Sequence, residues 1–267
     1  MKIVHRITKN LDVKTRDQLR RIGIEVELGL VTFEIDESHP SWPELKALLA
    51  EWVSVDMVST KFTEAERREA AYLTMEPAWH YGYPQPANDF GYLAASYDLT
   101  DYCAECGMGY RQVAPFRMKG EPKWGTRHIL QMNWLFDEYF VRPGVWTSVF
   151  APFGVGCKPV VHHRTGQELE TVVQLDVATT AAFPLRLTGK YASAACPRCG
   201  RTKYLPVTRG RFPSFTGTPT DHMQKTQEAF GDGASAWNAI VVSSDLFRAI
   251  RDHKLKGAGF APCAAPL

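Results

Sequence analysis

Two short cysteine motifs constrain the fold of this chain more than any other feature. Cys103-Ala-Glu-Cys106-Gly107 and Cys196-Pro-Arg-Cys199-Gly200 are both CxxC followed directly by glycine. In a metal knuckle the backbone turns so tightly that amide N–H groups point at the thiolates. Glycine allows the positive φ that such a turn demands, and Pro197 presets φ for the second one. Two knuckles together supply four thiolates, the donor set of a closed tetrahedral zinc site. One knuckle alone offers two ligands and holds zinc poorly. The fold must therefore bring distant segments together, because 89 residues lie between Cys106 and Cys196, against roughly 15–20 in compact sites. The expectation is one structural Zn2+ held by Cys103, Cys106, Cys196 and Cys199. An iron–sulfur cluster also uses four thiolates. A redox CxxC usually opens a helix, whereas strand-like segments flank both motifs here.

The rest of the composition sets the frame for that site. The chain has 267 residues, 45% hydrophobic and 22% charged, so it belongs to the globular class rather than the disordered one. That length suits one large domain or two modest ones. No apolar run approaches the roughly 18 residues that span a bilayer. The opening MKIVHRITKN lacks the apolar segment of a signal peptide. A cytoplasmic protein with no membrane partner is expected, and disulfides are disfavoured there. Lys+Arg and Asp+Glu nearly balance at 31 and 29. The halves do not: 11 basic and 17 acidic residues precede Cys103, and 20 basic and 12 acidic follow from there. This step divides the chain into an α+β region at 1–101 and a strand-rich, knuckle-bearing domain at 102–267. The Pro77–Asn88 loop is the other candidate boundary.

Periodicity gives an α+β fold, strand-rich with a few short helices and stapled by a zinc-ribbon-like double knuckle. Strands are expected at Lys2–Ile7, Ile24–Leu28, Val53–Phe62, Gly109–Phe116, Ile129–Val141, Leu169–Val177, Leu185–Tyr191, Thr202–Val207 and Ala239–Val242. The apolar phase flips after Gly29, which calls for a bulge or two strands. A helix at Ser41–Trp52 buries Leu45, Leu48, Leu49 and Trp52, with Ser41 and Glu44 as a capping box. Shorter helices are expected at Thr15–Ile22, from Thr63 to about Leu73, and from Ser243 or Ser244 to about His253. Gly257 ends the last of these, and Phe260–Pro262 is extended.

Two segments offer binding surfaces. The Pro77–Tyr92 loop carries Trp79, Tyr81, Tyr83, Phe90 and Tyr92 among prolines and glycines, as a plug on the core or a recognition loop. The second segment holds Arg198, Arg201, Lys203, Arg209 and Arg211 with Tyr204 and Phe212 interleaved. A zinc knuckle with a basic flank can bind nucleic-acid phosphates. Signals for catalysis are weak. Cys157 lies near His162 and His163 without a nucleophile motif. Asp137 and Glu138 would diverge on a strand. There is no G-x-G-x-x-G, Walker A or H-E-x-x-H pattern.

The doubled CxxCG resembles the bacterial double-CxxCG motif family, some of whose members are immunity proteins against toxins delivered by neighbouring cells. The matching stretches are CPRCG at Cys196–Gly200 and AIVVSSDLFRAIRDHKLKGAGFAP at Ala239–Pro262. Within that tail, Lys254-Leu255-Lys256-Gly257 and Phe260-Ala261-Pro262 look like the closing strand–helix–strand of related immunity proteins. The likeness covers about the last third of the chain and the first knuckle, and about a hundred residues precede that knuckle. It implies a non-catalytic, zinc-stabilised protein that neutralises a cognate toxin by binding it. The aromatic loop or the basic stretch would make the contact. A zinc-ribbon nucleic-acid regulator is the alternative reading, and a Cys/His or metal-dependent enzyme the third.

Overall fold

A computed structural model of the chain describes residues 1–189 and 191–265. The fold is mixed α+β and strand-rich, as the periodicity implies. It comprises two compact units, Met1–Glu66 with Val207–Arg211, and Arg67–Pro206 with Phe212–Leu267. The division falls after Glu66 rather than at Tyr102. Residues 67–101 belong with the larger unit because Tyr72–Pro77 is an interior strand of its main sheet.

In the smaller unit, β1 (Lys2–Leu11) lies between β2 (Gly29–Asp36) and β3 (Val55–Lys61), antiparallel to both. Helices α1 (Val13–Arg21) and α2 (Trp42–Glu51) contribute Leu19, Trp42 and Leu45 to the core of this unit. Ile7, Leu11, Leu19, Ile35, Trp42 and Leu45 form its core. Ile24–Leu28 is not a strand, although its alternation is strict. The last ladder pair is Leu11 with Gly29, so residues before Gly29 lie past the end of β1 and have no partner. Ile24 and Val26 pack on the core instead. The Ser41–Glu44 box does not form, because the Ser41 hydroxyl donates to the Ile22 carbonyl. The Thr63–Glu66 box does form, each residue's N–H bonding the other's side chain. It opens the short helix α3 (Glu64–Glu69). The 207–211 segment is fastened by Thr60, whose hydroxyl donates to Thr208 O at 2.9 Å and accepts from Gly210 N–H at 2.8 Å.

The larger unit is built on two sheets. Six strands run in the order β12 (Ser193–Ala195), β13 (Thr202–Tyr204), β14 (Met223–Phe230), β15 (Trp237–Ser243), β4 (Tyr72–Pro77) and β16 (Ala258–Pro262). Helix α6 (Ser244–Asp252) is capped by Ser243, whose hydroxyl accepts the Leu246 N–H. The second sheet has five strands, β7 (Arg117–Met118), β10 (Gly156–His162), β11 (Glu168–Asp176), β9 (Phe140–Val141) and β8 (Ile129–Leu130). A short helix, α4 (Tyr92–Ser96), precedes this sheet in the chain, and helical turns run from Pro143 to Phe153, opening with α5 (Pro143–Val145).

Strand alternation sends the second sheet's side chains into two cores. Ile129, Val141 and Leu175 join Val242, Phe247 and Ile250 in one. Leu130, Phe140 and Val172 join Phe116, Tyr92 and Tyr97 in the other. The expected strand at Gly109–Phe116 shrinks to Arg111–Gln112, and that at Ile129–Val141 to two-residue strands at its two ends. Leu185–Tyr191 makes only an isolated bridge, Leu185 with Phe215, and Lys190 lies outside the described residues. Among the described residues, no helix is long and apolar enough to cross a membrane.

Candidate metal centre

Each cysteine pair sits at the tip of a hairpin. The first lies between β5 (Tyr97–Asp98) and β6 (Arg111–Gln112), which pair antiparallel. The second lies between β12 and β13. Both tips fold alike. Cys103 N–H bonds Met108 O at 2.8 Å and Gly107 N–H returns to Cys103 O at 2.8 Å. In the second tip, Cys196 N–H bonds Arg201 O and Gly200 N–H bonds Cys196 O, both at 2.9 Å. The trailing glycines have φ of +75° and +72°, the left-handed turn that the CxxCG pattern implies.

The two tips meet. The four sulfurs all lie within 4.8 Å of one another. Cys103 Sγ is 3.8 Å from Cys196 Sγ, and Cys106 Sγ is 3.6 Å from Cys199 Sγ. A tetrahedral ion with metal–sulfur bonds of about 2.3 Å needs sulfurs about 3.8 Å apart. The site is therefore the right size for one ion. An iron–sulfur cluster binds its thiolates through separate irons and spreads them further, so the polynuclear alternative does not fit this spacing. All six cysteines are free thiols. No histidine or carboxylate among the described residues joins the four.

The surroundings act on the two thiols of the first knuckle in opposite directions. The backbone N–H of Cys106, followed by that of Glu105, holds the Cys103 thiol below its ordinary value. Burial pushes the Cys106 thiol up. Four thiolates this close are stable together only around a cation. Cys103, Cys106 and Cys196 are buried, and Cys199 is exposed.

Two residues just past the second knuckle clasp the first. Lys203 Nζ donates to the carbonyls of Cys106 at 2.9 Å, Gly233 at 2.6 Å and Ser235 at 2.9 Å. The Arg201 guanidinium donates to Asp101 O at 2.6 Å and Met108 O at 3.3 Å. In the basic stretch, Lys203 and Arg201 are thus occupied by backbone carbonyls. Lys203 is buried and fully engaged, so it has no donor free for a phosphate. Arg209 and Arg211 belong to the smaller unit, where Arg209 pairs with Glu37. Arg198 is exposed, 3.9 Å from Glu105.

The aromatic loop also divides. Trp79 and Tyr81 pack into the second core, Trp79 against Trp124 at 5.9 Å with Arg127 over its ring at 4.8 Å. Tyr83 and Phe90 stay exposed, and both rings rest on Trp134 at 4.5 and 4.7 Å. Trp134 carried no signal in the sequence beyond its residue type.

A second polar centre also escaped the sequence. Asp137 and Glu138 lie on irregular backbone, not on a strand, so the alternation argument fails and both reach one lysine. Lys225 Nζ on β14 lies 3.1 Å from Asp137 Oδ2 and 2.7 Å from Glu138 Oε1. Gln174 Nε2 donates to Glu138 Oε2 at 2.7 Å, and Gln174 and Gln112 bond reciprocally at 2.8 and 2.9 Å. Burial raises the Glu138 carboxyl, opposed by Lys225. Burial alone would lower the Lys225 ammonium, but the Asp137 and Glu138 carboxylates outweigh it and keep it charged. The leftover thiols are unreactive by environment. Burial, with Asp176 nearby, pushes Cys157 up, and burial pushes Cys263 up to about 12. Both shifts run against nucleophile activation.

The glycines give a graded test of the knuckles. A Cβ on Gly107 would stand 2.2 Å from Ala234 O, whereas one on Gly200 would meet nothing within 4 Å. Gly200→Ala should therefore cost only the left-handed strain, about 1–2 kcal/mol. Gly107→Ala adds a backbone clash and should exceed about 3 kcal/mol. Urea unfolding of the two variants measures the difference, and equal costs would contradict this packing.

Fold and site together define a strand-rich α+β protein whose larger unit carries a tetracysteine cluster shaped for one metal ion. No family model, no curated protein and no solved structure matches the chain.

Proposed function

We propose that this is a non-catalytic, zinc-stabilised binding protein of the immunity type, which neutralises a cognate toxin by covering it. One observation carries the non-catalytic part. Four thiolates close on one another, and no other ligand among the described residues joins them. An ion held that way has no open position for water or substrate, so it acts as a structural ion. Zinc is the ion this donor set and the CxxCG turns favour. Bound there, it fastens the two hairpins alongside the Lys203 and Arg201 clasp.

The immunity part rests on the resemblance of the tail. Ala239–Pro262 forms most of β15 with α6 and β16, so those residues build the strand–helix–strand that the likeness implies. The exposed rings of Tyr83 and Phe90 supply anchors of the kind that dominate protein interfaces. The nucleic-acid reading loses support with Lys203 buried and Arg209 paired.

The test starts from the genome, because an immunity gene sits beside its toxin gene. Expression of the neighbouring open reading frame should arrest growth, and co-expression of this chain should restore it through a complex isolable by gel filtration. A harmless neighbour, or a chain that instead binds nucleic acid with steep salt dependence, would overturn the reading.

A further inference from the structure

A cleft of about 460 Å³ opens beside the first knuckle, within the larger unit. One wall is Asp89, Phe90, Tyr92 and Leu93; a second is Tyr97, Tyr102, Ala104, Gly107 and Tyr110, from the knuckle hairpin. Trp134–Phe136 and Ala234–Ala236 complete it. The volume falls in the range of small-molecule sites, about 300–1,000 Å³.

Backbone strain is concentrated here. Among the described residues four non-glycine residues have positive φ, and three of them line this cleft: Asp89 at 50°, Phe90 at 54° and Trp134 at 70°. The left-handed region is costly for bulky side chains. Such residues persist where packing over-determines them, and they cluster at ligand clamps. Here the strain holds rings in place. Phe90 lies 4.7 Å from Trp134, and Tyr92 stacks on Trp134 at 5.9 Å with planes 22° apart.

The polar groups decide what fits. The lining contains no lysine, arginine or histidine. Its one carboxylate, Asp89, makes no hydrogen bond or ion pair with another described residue. The hydroxyls of Tyr92 and Tyr97, residues only 5% and 6% exposed, make no hydrogen bond with another described residue. An anion would meet a carboxylate and no donor cation. A neutral apolar guest would gain from the rings and nothing from Asp89. A cation on an apolar stem uses everything present: π faces for the charge, the carboxylate, and hydroxyl oxygens that accept N–H bonds.

We propose that this cleft binds an organic cation, a guanidinium or alkylammonium on an aliphatic stem, with Asp89 as counter-ion and the Tyr92–Trp134 pair as aromatic wall. The inference goes beyond the immunity reading and does not depend on it. Arginine or lysine side chains of a polypeptide and free amines share this chemistry.

Calorimetric titration of the metal-loaded protein with N-acetylarginine amide, and with its neutral isostere N-acetylcitrulline amide, tests it. The arginine compound should bind at least about tenfold more tightly. Asp89→Asn keeps a residue tolerant of the left-handed backbone and should weaken the arginine compound several-fold, leaving the citrulline compound unchanged. Tighter binding of a tripeptide with central arginine would identify a polypeptide source, and no gain would identify a free amine. Equal affinity for the charged and neutral compounds, no heat from either at millimolar concentration, or an unaltered Asp89→Asn variant would each overturn the proposal. The comparison of the two compounds on the unaltered protein needs no variant to fold.

Discussion

Cys106→Ser is expected to strip the metal and collapse the knuckle region. Cys106 is buried, its sulfur is 3.6 Å from Cys199 Sγ, and its carbonyl accepts from Lys203. Structural zinc contributes roughly 10–16 kcal/mol in small peptides at neutral pH. Whole domains have a net stability of only about 5–15 kcal/mol. Even a fraction of the zinc term is therefore decisive. The melting temperature should fall by more than about 10 °C, given about 2–4 °C per kcal/mol for a unit of this size. The smaller unit has its own core around Ile7, Leu19 and Leu45, so part of the far-UV signal should survive. A variant melting within about 2 °C of the parent would show that the cysteines do not staple the fold.

Lys225→Met should be the most damaging single change away from the metal. It leaves Asp137 and Glu138, 5% and 6% exposed, with no cation between them. Removing one partner of a buried charge cluster costs about 3–5 kcal/mol, because the remaining charge stays uncompensated. In the parent, Lys225 is held above its ordinary value of 10.5. The lysine's contribution is thus complete below that value and fades only at more alkaline pH. In the variant the sign is that of the raised Glu138 carboxyl, now without the lysine that opposes its burial. The folded state holds protons that the unfolded chain releases, so stability drops as pH rises through the ordinary carboxylate range. The deficit should be largest at pH 7 to 8 and shrink towards pH 5. Urea unfolding at both values measures it, and a deficit independent of pH would contradict the buried-charge account.

What the sequence made legible was local. The CxxCG turns follow from residue type, because only a glycine takes φ near +70° without strain. Helix α6 and its Ser243 cap, β11, and β3 follow from alternation and capping. What it hid was either non-local or against pattern. Strand β14 reads MQKTQEAF, with Gln224 and Thr226 fully buried. No alternation marks it because polar residues take its interior positions: the Thr226 hydroxyl donates to Glu228 O, and Lys225 meets Asp137 and Glu138. The lysine that pairs Asp137 with Glu138 sits on that strand, so the ion cluster was invisible as well. Position 203 looked like one basic residue among five, and only its three carbonyl partners identify it as a clasp. The charge step at Tyr102 fell in the wrong place for a unit boundary, because sheet pairing of Tyr72–Pro77, not charge, ties that segment to the larger unit. The cleft is assembled from four separated segments, and strain at Asp89, Phe90 and Trp134 has no sequence signature.

The central claim is that two distant hairpins share a single metal within each chain. X-ray absorption at the zinc edge, combined with metal content and native mass of the purified protein, tests it most directly. The account predicts one zinc per chain, coordinated by four sulfurs at about 2.3 Å, with the zinc lost in Cys199→Ser. Nitrogen or oxygen in the coordination shell, one zinc per two chains, or zinc retained by a folded Cys199→Ser would contradict it.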